Sequence, residues 1–249
     1  MDQLQQVIAE RPKFHRSETE IERPFEPSES LRPSQTAKRV ATAPNALTCY
    51  GIDADVLAFI AATIGEGSRT LETGAGLSTL VFAIRRAVHI AVTPSWSEIK
   101  RIKEYANQRG ITLDTVQFVP ESSDHYLPRC ATEALDLVLL DGKHAFPWPI
   151  VDWFFTADKL RRGGVMVIDD AQMRSVEVLA EFMRVDPGWQ LIHDFSGKTL
   201  AFRKNRDSIH DVAWHMQPWT ITPSTESASG TNFLRRLGRR LKKLMARQG

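Results

Sequence analysis

The run Arg69-Thr70-Leu71-Glu72-Thr73-Gly74-Ala75-Gly76-Leu77-Ser78-Thr79 decides how the rest of the chain is read. A short strand-forming stretch, Thr70-Leu71, reaches an acidic residue, then two glycines one residue apart. A hydroxyl pair, Ser78-Thr79, then opens an apolar helix that runs to about Arg86. This is a strand, a tight turn and a helix N-terminus. Glycine at 74 and 76 removes the Cβ atoms that would block φ > 0 and hold a ligand away from the backbone. The helix points its free N–H groups and positive dipole end at whatever lies over the turn. The plain alternative is a glycine turn that only links strand to helix.

Two ligand classes use such turns, and the details separate them. A dinucleotide fingerprint needs Gly-x-Gly-x-x-Gly, and the position of the third glycine is here Thr79. Glu72 would repel a pyrophosphate and attract an ammonium group. On these residues the chain resembles motif I of class I S-adenosylmethionine-dependent methyltransferases (acidic-x-Gly-x-Gly). The resemblance covers roughly residues 50–204 and implies a cofactor held around Glu72, Gly74, Gly76, Ser78 and Thr79.

The chain has 249 residues, 42% of them apolar, enough for one domain with a sizeable core and extensions. No apolar run approaches the length of about 18 residues needed to span a bilayer. Met1–Gln6 lacks the charged-then-apolar pattern of a signal peptide. Cys49 and Cys130 have no CxxC or framework spacing, so a reduced, cytoplasmic setting is expected. Residues 1–45 carry prolines at 12, 24, 27, 33 and 44 among charged and small residues. Such a segment cannot offset its ordering entropy alone, and it is either disordered or draped over the core as a lid.

From Tyr50 the pattern becomes regular within an expected domain of residues 46–221. Val56, Leu57, Phe59, Ile60 and Ile64 make a helical face after Asp53, an N-cap residue. Strands are expected at 69–73, 89–92, 115–119, 134–140 and 165–168, the last entered by a turn at Gly163-Gly164. Between them, Ser95-Trp96-Ser97-Glu98 reads as a capping box opening a helix to Gln108. Further helices follow Pro149 and span 172–184, and 189–193 with 199–202 form a hairpin around Ser196-Gly197. Alternating strands and helices closed by a hairpin give an α/β doubly wound, mostly parallel sheet of seven strands. The resemblance implies the same Rossmann-like fold.

In an open α/β sheet, ligands sit beyond the carboxyl ends of the strands, near the switch point. The second strand ends in Val92-Thr93-Pro94-Ser95, where the resembling family has an acid for the ribose hydroxyls. Thr93 and Ser95 are the hydrogen-bonding groups at that step. Ser122, after the third strand, falls where the family contacts adenine, and it is also ordinary loop chemistry. The fourth strand ends in Asp141-Gly142-Lys143-His144 and the fifth in Asp169-Asp170. Neighbouring strands lie about 4.8 Å apart, so three carboxyl groups would converge. Either one of them takes a proton or a cation sits among them, and oxygen ligands suit Mg²⁺ best, with Mn²⁺ close behind. Asp170 as a helix cap and Asp141 as support for the turn are the alternatives.

This pattern is similar to metal-dependent O-methyltransferases acting on catechols and on sugar hydroxyls, which implies Asp141, Asp169 and Asp170 as metal ligands. Catechol-type enzymes place a lysine at the position of His144, and some sugar-type enzymes place an acid at that of Lys143. A neutral imidazole can take the proton of an acidified hydroxyl near pH 7, so His144 is the first choice of base. Lys143 is the second.

Residues 222–232 read as a linker before a basic amphipathic helix at 233–249. Seven Lys and Arg and no acid follow Phe233, which leaves −5 of the overall +2 on the first 232 residues. The bulk of the protein is therefore not built to bind nucleic acid. The helix suits either an anionic membrane surface or, by its leucines, the protein's own body or a second subunit of a homo-oligomer. The expected activity is S-adenosylmethionine-dependent O-methylation of a small-molecule or sugar hydroxyl. An NAD-dependent oxidoreductase and a non-catalytic, membrane-docked module with a degenerate methyltransferase fold are the competing readings.

Overall fold

The computed structural model describes residues 2–16, 47–48 and 51–221. Most of the proline-rich extension, the 222–232 linker and the 233–249 helix lie outside the described residues. The elements are α1 (Gln3–Glu10), β1 (His15–Arg16), β2 (Leu47–Thr48), α2 (Ala54–Thr63), β3 (Arg69–Thr73), α3 (Leu77–Ile84) and β4 (Val88–Val92). They continue with α4 (Trp96–Gln108), β5 (Val116–Val119), α5 (Ser123–Tyr126), β6 (Leu135–Leu140) and α6 (Trp148–Ala157). The last are β7 (Leu160–Ile168), α7 (Arg174–Val185), β8 (Trp189–Phe195), β9 (Thr199–Lys204) and α8 (Pro218–Ile221).

Seven strands form one sheet in the order β5-β4-β3-β6-β7-β9-β8. The first five run parallel, and β9 runs against both its neighbours. The order reverses between β3 and β6. That reversal opens a crevice over their carboxyl ends and sets Thr73 beside Leu140. Successive side chains of β6 serve opposite faces: Leu137 and Leu139 join the core with α1–α4, while Val138 and Leu140 join the one with α6 and α7. A strand buried on both faces reads as a continuous apolar run, which is why Leu137-Val138-Leu139-Leu140 contains no polar residue.

Four local differences from the sequence expectation have physical causes. The Gly163-Gly164 pair does not turn ahead of the last parallel strand but lies inside β7. A bulge between the Leu135–Leu160 and Leu137–Val165 pairs absorbs it, with Gly163 at φ +81°. Asp53 precedes α2 without a side-chain cap bond; its carboxylate lies 3.4 Å from Lys198 Nζ. Ser95 caps α4 by accepting the Glu98 N–H at 3.3 Å, but Glu98 does not reach back. Its carboxylate accepts from Thr93 Oγ1 at 3.2 Å and lies 3.2 Å from His15 Nδ1. Finally, α7 starts at Arg174 behind Met173, so Asp170 is not its side-chain cap.

Residues 2–16 form an arm along α4. Val7 and Phe14 are buried in the core. Gln3 donates to the Arg109 carbonyl at 3.2 Å, and Glu10 takes Tyr105 Oη at 2.5 Å and Arg109 at 2.9 Å. Arg101 donates to the Phe14 carbonyl, and His15 reaches Glu98. Residues 98, 101, 105 and 109 recur at helical spacing, so one stripe of α4 holds the whole arm. The arm therefore ends at the carboxyl edge of the sheet.

Candidate active site

At the end of β3 the two glycines have different tasks. Gly74 has φ +88°, and a Cβ there would collide with the Asp141 carbonyl oxygen and stand 3.0 Å from its carbon. This close approach is between two protein loops, with Gly74 N–H on the Val92 carbonyl and Asp141 N–H on that of Thr73. Gly76 is extended, with φ −178°. A Cβ there would meet only the His15 ring, 3.2 Å from Nε2. Over Gly76, among the described residues, it is the His15 ring of the arm that covers the backbone.

Glu72 lies beneath the turn and is buried. It accepts hydrogen bonds from Ser78 Oγ at 2.6 Å and from Thr79 Oγ1, and His89 Nε2 lies 3.2 Å away. Thr79 Oγ1 also takes the Gly76 N–H at 3.0 Å. Ser78 and Thr79, like Glu72, are therefore tied up in holding the turn and the start of α3. The carboxylate still supplies negative charge under the crevice. His89 completes the cluster, with Nδ1 2.8 Å from Thr70 Oγ1 and its ring stacked on Phe82 at 4.0 Å.

Beyond β4, Thr93 is buried and Ser95 is part-exposed beside it, with Ser95 N–H on Thr93 Oγ1 at 3.3 Å. Beyond β5, Ser122 precedes α5 without a side-chain cap bond, and the Glu121 carboxylate is bound by Arg129 at 2.5 Å. The crevice is thus edged by neutral hydroxyls and carboxylates with glycine backbone at its floor. Such a donor set fits a cationic, ribose-bearing cofactor, and it fits a pyrophosphate poorly.

At the ends of β6 and β7, the structure gathers Asp141, His144 and Asp170. One ligand atom from each lies within 4.8 Å of the others. His144 stands between the carboxylates, with Nε2 3.6 Å from Asp141 and Nδ1 3.4 Å from Asp170. Its Nε2 is buried with no hydrogen-bond partner among the described residues. Asp170 holds φ +55°, which turns its side chain towards His144. Asp169 sits apart from this trio: it is buried and accepts from Thr199. Lys143 is drawn elsewhere, its Nζ 3.6 Å above the Trp148 ring.

The electrostatics follow from crowding. Burial first, then Asp169, Asp170 and Glu72, push the Asp141 carboxyl well above the ordinary carboxylate range, against Lys198. Burial also raises Asp169, with Thr199 and Lys198 opposing and Asp170 adding to the rise. Lys198, on the β8–β9 turn, is held above its usual range because Asp169, Asp53 and Asp170 outweigh its own burial. The site demands positive charge.

Asp152 of α6 is a further buried carboxyl that the sequence did not single out. It lies beneath Gly142, is raised by burial, and is eased by the hydroxyls of Ser123 and Thr73. Its helical position among apolar residues gave no signal.

Residues 71–171 match the family model described as a methyltransferase domain. Among solved structures, the cofactor-bound Rv0187 from MTB is 19% identical, with a TM-score of 0.54 over 64% of this chain and 83% of its own. A caffeoyl-CoA O-methyltransferase-like protein from Staphylococcus aureus is 16% identical, with a TM-score of 0.54 over 62% and 85%. An rRNA-methylase-like protein from Clostridium thermocellum is 14% identical, with a TM-score of 0.51 over 62% and 96%. At these identities the likeness is one of fold. No curated protein matches the sequence. The matched stretch runs from the glycine turn through the acidic strand ends, so this part of the chain is similar to a methyltransferase domain, and the fold it shares with these neighbours is the Rossmann-like one.

Proposed function

We propose that the chain methylates a hydroxyl oxygen of a small molecule, a sugar being the nearest analogy, with a divalent cation at Asp141 and Asp170, Asp169 behind them, and His144 beside the cation as base. The observation that carries this reading is the convergence of two carboxylates and a partnerless imidazole nitrogen within 4.8 Å, at strand ends flanking the cofactor crevice. S-adenosylmethionine supplies an activated methyl group. Carboxylate oxygens suit Mg²⁺ and Mn²⁺ alike, and a cation held there would supply the charge that acidifies a hydroxyl.

The chain's own residues then have distinct tasks. Gly74 lets the Asp141 loop close on the turn, and Gly76 is the glycine whose backbone no Cβ would shield from the cofactor. Asp141 and Asp170 fix the acceptor side, and in-line placement of its oxygen provides most of the acceleration. His144 accepts the hydroxyl proton at an imidazole nitrogen, and the resulting charge is stabilised by the same carboxylates. Lys143, engaged with Trp148, helps to wall the acceptor pocket. A second reading rests on the same geometry: a protonated His144 neutralises the carboxylates by itself and no metal is needed.

Calorimetry with Mn²⁺ and Mg²⁺, joined to methyl-transfer assays on hydroxylated acceptors with and without EDTA, tests the proposal. Cation binding that D141N abolishes, with chelator-sensitive turnover, supports it. Full turnover by metal-stripped protein supports the second reading. A methylated nitrogen or an RNA product would refute O-methylation of a small molecule.

A further inference from the structure

Two buried polar atoms are left over beneath the carboxylates of the site. His144 Nε2 and Asp152 Oδ1 each lack a hydrogen-bond partner among the described residues. Both residues line the same small cavity, walled by Leu140 and Ile168 from the ends of β6 and β7 and by Val176 from α7. Its volume is about 10 Å³, the room of a single water molecule. Asp152 is 2% exposed, so its free oxygen has no bulk solvent to turn to. A carboxyl oxygen left without a partner in the interior costs free energy, and native structures rarely leave one so.

The other contacts of the His144 ring do not hold it. Nε2 is 3.6 Å from Asp141 and Nδ1 is 3.4 Å from Asp170, both longer than a good hydrogen bond. A cation on those two carboxylates would draw their oxygens away from the ring, and Asp152 is then the buried acceptor that remains. Ser175 fixes the backbone from which the ring extends, its hydroxyl donating to the His144 carbonyl.

We propose that Asp152 positions His144 through one water held in this cavity: Nε2–H donates to the water, the water donates to Asp152 Oδ1, and Nδ1 is left to take the proton of the acceptor hydroxyl. This rests on the reading of His144 as a neutral base. A neutral imidazole has its hydrogen on one nitrogen only, and the bond that nitrogen makes decides which. Nε2 is sealed from solvent and cannot meet an incoming hydroxyl, whereas Nδ1 lies on the Asp170 side. As the proton passes to Nδ1, the electron pair stays on the oxygen and forms the new bond to the methyl carbon. The bland alternative is that Asp152 only braces α6 beneath Gly142, through Ser123 and Thr73.

The ring ¹⁵N shifts of histidine-labelled full-length protein near pH 8 report which nitrogen carries the hydrogen, with His144 identified by its loss in H144Q. D152L removes the acceptor and keeps its bulk, so it should lower the ratio of Nε2–H to Nδ1–H about tenfold, the scale of one hydrogen bond. V176I fills the cavity and alters neither partner. It should lower the ratio as much, and the double variant should lower it no further, because coupled residues are not additive. An unchanged ratio in either variant, or a native ring with its hydrogen mainly on Nδ1, would overturn the proposal and leave the base role of His144 standing. Should D152L fail to fold, V176I and the native spectrum still decide. A native ring with hydrogen on both nitrogens at that pH would refute the neutral base, and the proposal with it.

Discussion

Replacing Gly74 by alanine should be far more damaging than replacing Gly76, although the two glycines read alike in the sequence. At 74 the backbone has φ +88°, a region that costs an L-residue about 1–2 kcal/mol. The new Cβ would also stand 3.0 Å from the Asp141 carbonyl carbon and closer still to its oxygen. Carbon contacts are optimal at about 3.5–4.0 Å, so the Asp141 peptide must retreat by roughly 0.5–1 Å. Overpacking of this kind costs about 1–3 kcal/mol, which brings the total to about 2–5 kcal/mol. At 76 the backbone is extended and the added methyl meets only the His15 ring, so about 1 kcal/mol or less is expected. Urea unfolding at neutral pH measures both. With a slope of about 2–3 kcal/mol per molar, G74A should lower the midpoint by roughly 1–2 M and G76A by under about 0.5 M. A G74A protein as stable as the native one, or a G76A protein that loses more, would refute the claim that Gly74 is fixed by the approach of the Asp141 loop.

D141N and D170N should each lower kcat by about a hundredfold or more and leave S-adenosylhomocysteine affinity within a few-fold, the scale of losing a preorganised electrostatic group; steady-state turnover beside calorimetry checks both. Burial raises Asp152 above the usual 3.8, so its contribution to stability is complete below that pH and is lost as pH rises through its folded-state value. D152N should therefore flatten that part of the decline in urea midpoint as pH rises above about 4, and an unchanged profile would show that the carboxyl is not strained by burial. Deleting residues 233–249 should release the protein from anionic vesicles without loss of soluble-substrate turnover. Each cation near such a surface contributes about 1 kcal/mol, and added salt should weaken the attachment. Full-length protein that ignores anionic vesicles at low salt would remove the membrane role.

Much of the fold could be read because its determinants are local. The alternation of apolar strands with amphipathic helices placed every strand of the main sheet but β7 close to its observed span, and Leu137–Leu140 announced a strand covered on both faces. What stayed hidden depends on partners distant in sequence. Gly163-Gly164 looks like a turn until pairing with β6 makes β7 bulge there. Asp53 looks like a cap until Lys198 arrives from the β8–β9 turn. Glu98 looks like half of a capping box until Thr93 and His15 claim its carboxylate. At the site, strand-end position identified Asp141, Asp169, Asp170 and His144. Side-chain direction was beyond sequence, because Asp169 and Asp170 are adjacent and diverge, one to Thr199 and the other towards His144.

The arm along α4 has a consequence for how the chain comes to be folded. It is synthesised well before the groups that hold it: Phe14 to Arg101 spans 87 positions, Glu10 to Tyr105 spans 95 and Gln3 to Arg109 spans 106. At about 5–20 residues per second, the segment waits roughly 5–20 s before its last anchor is even made. Detaching residues 2–14 breaks no hydrogen bond of the main sheet, so amides of the arm should exchange with solvent well before those of β3 and β6, and the crevice can open while the scaffold stays intact.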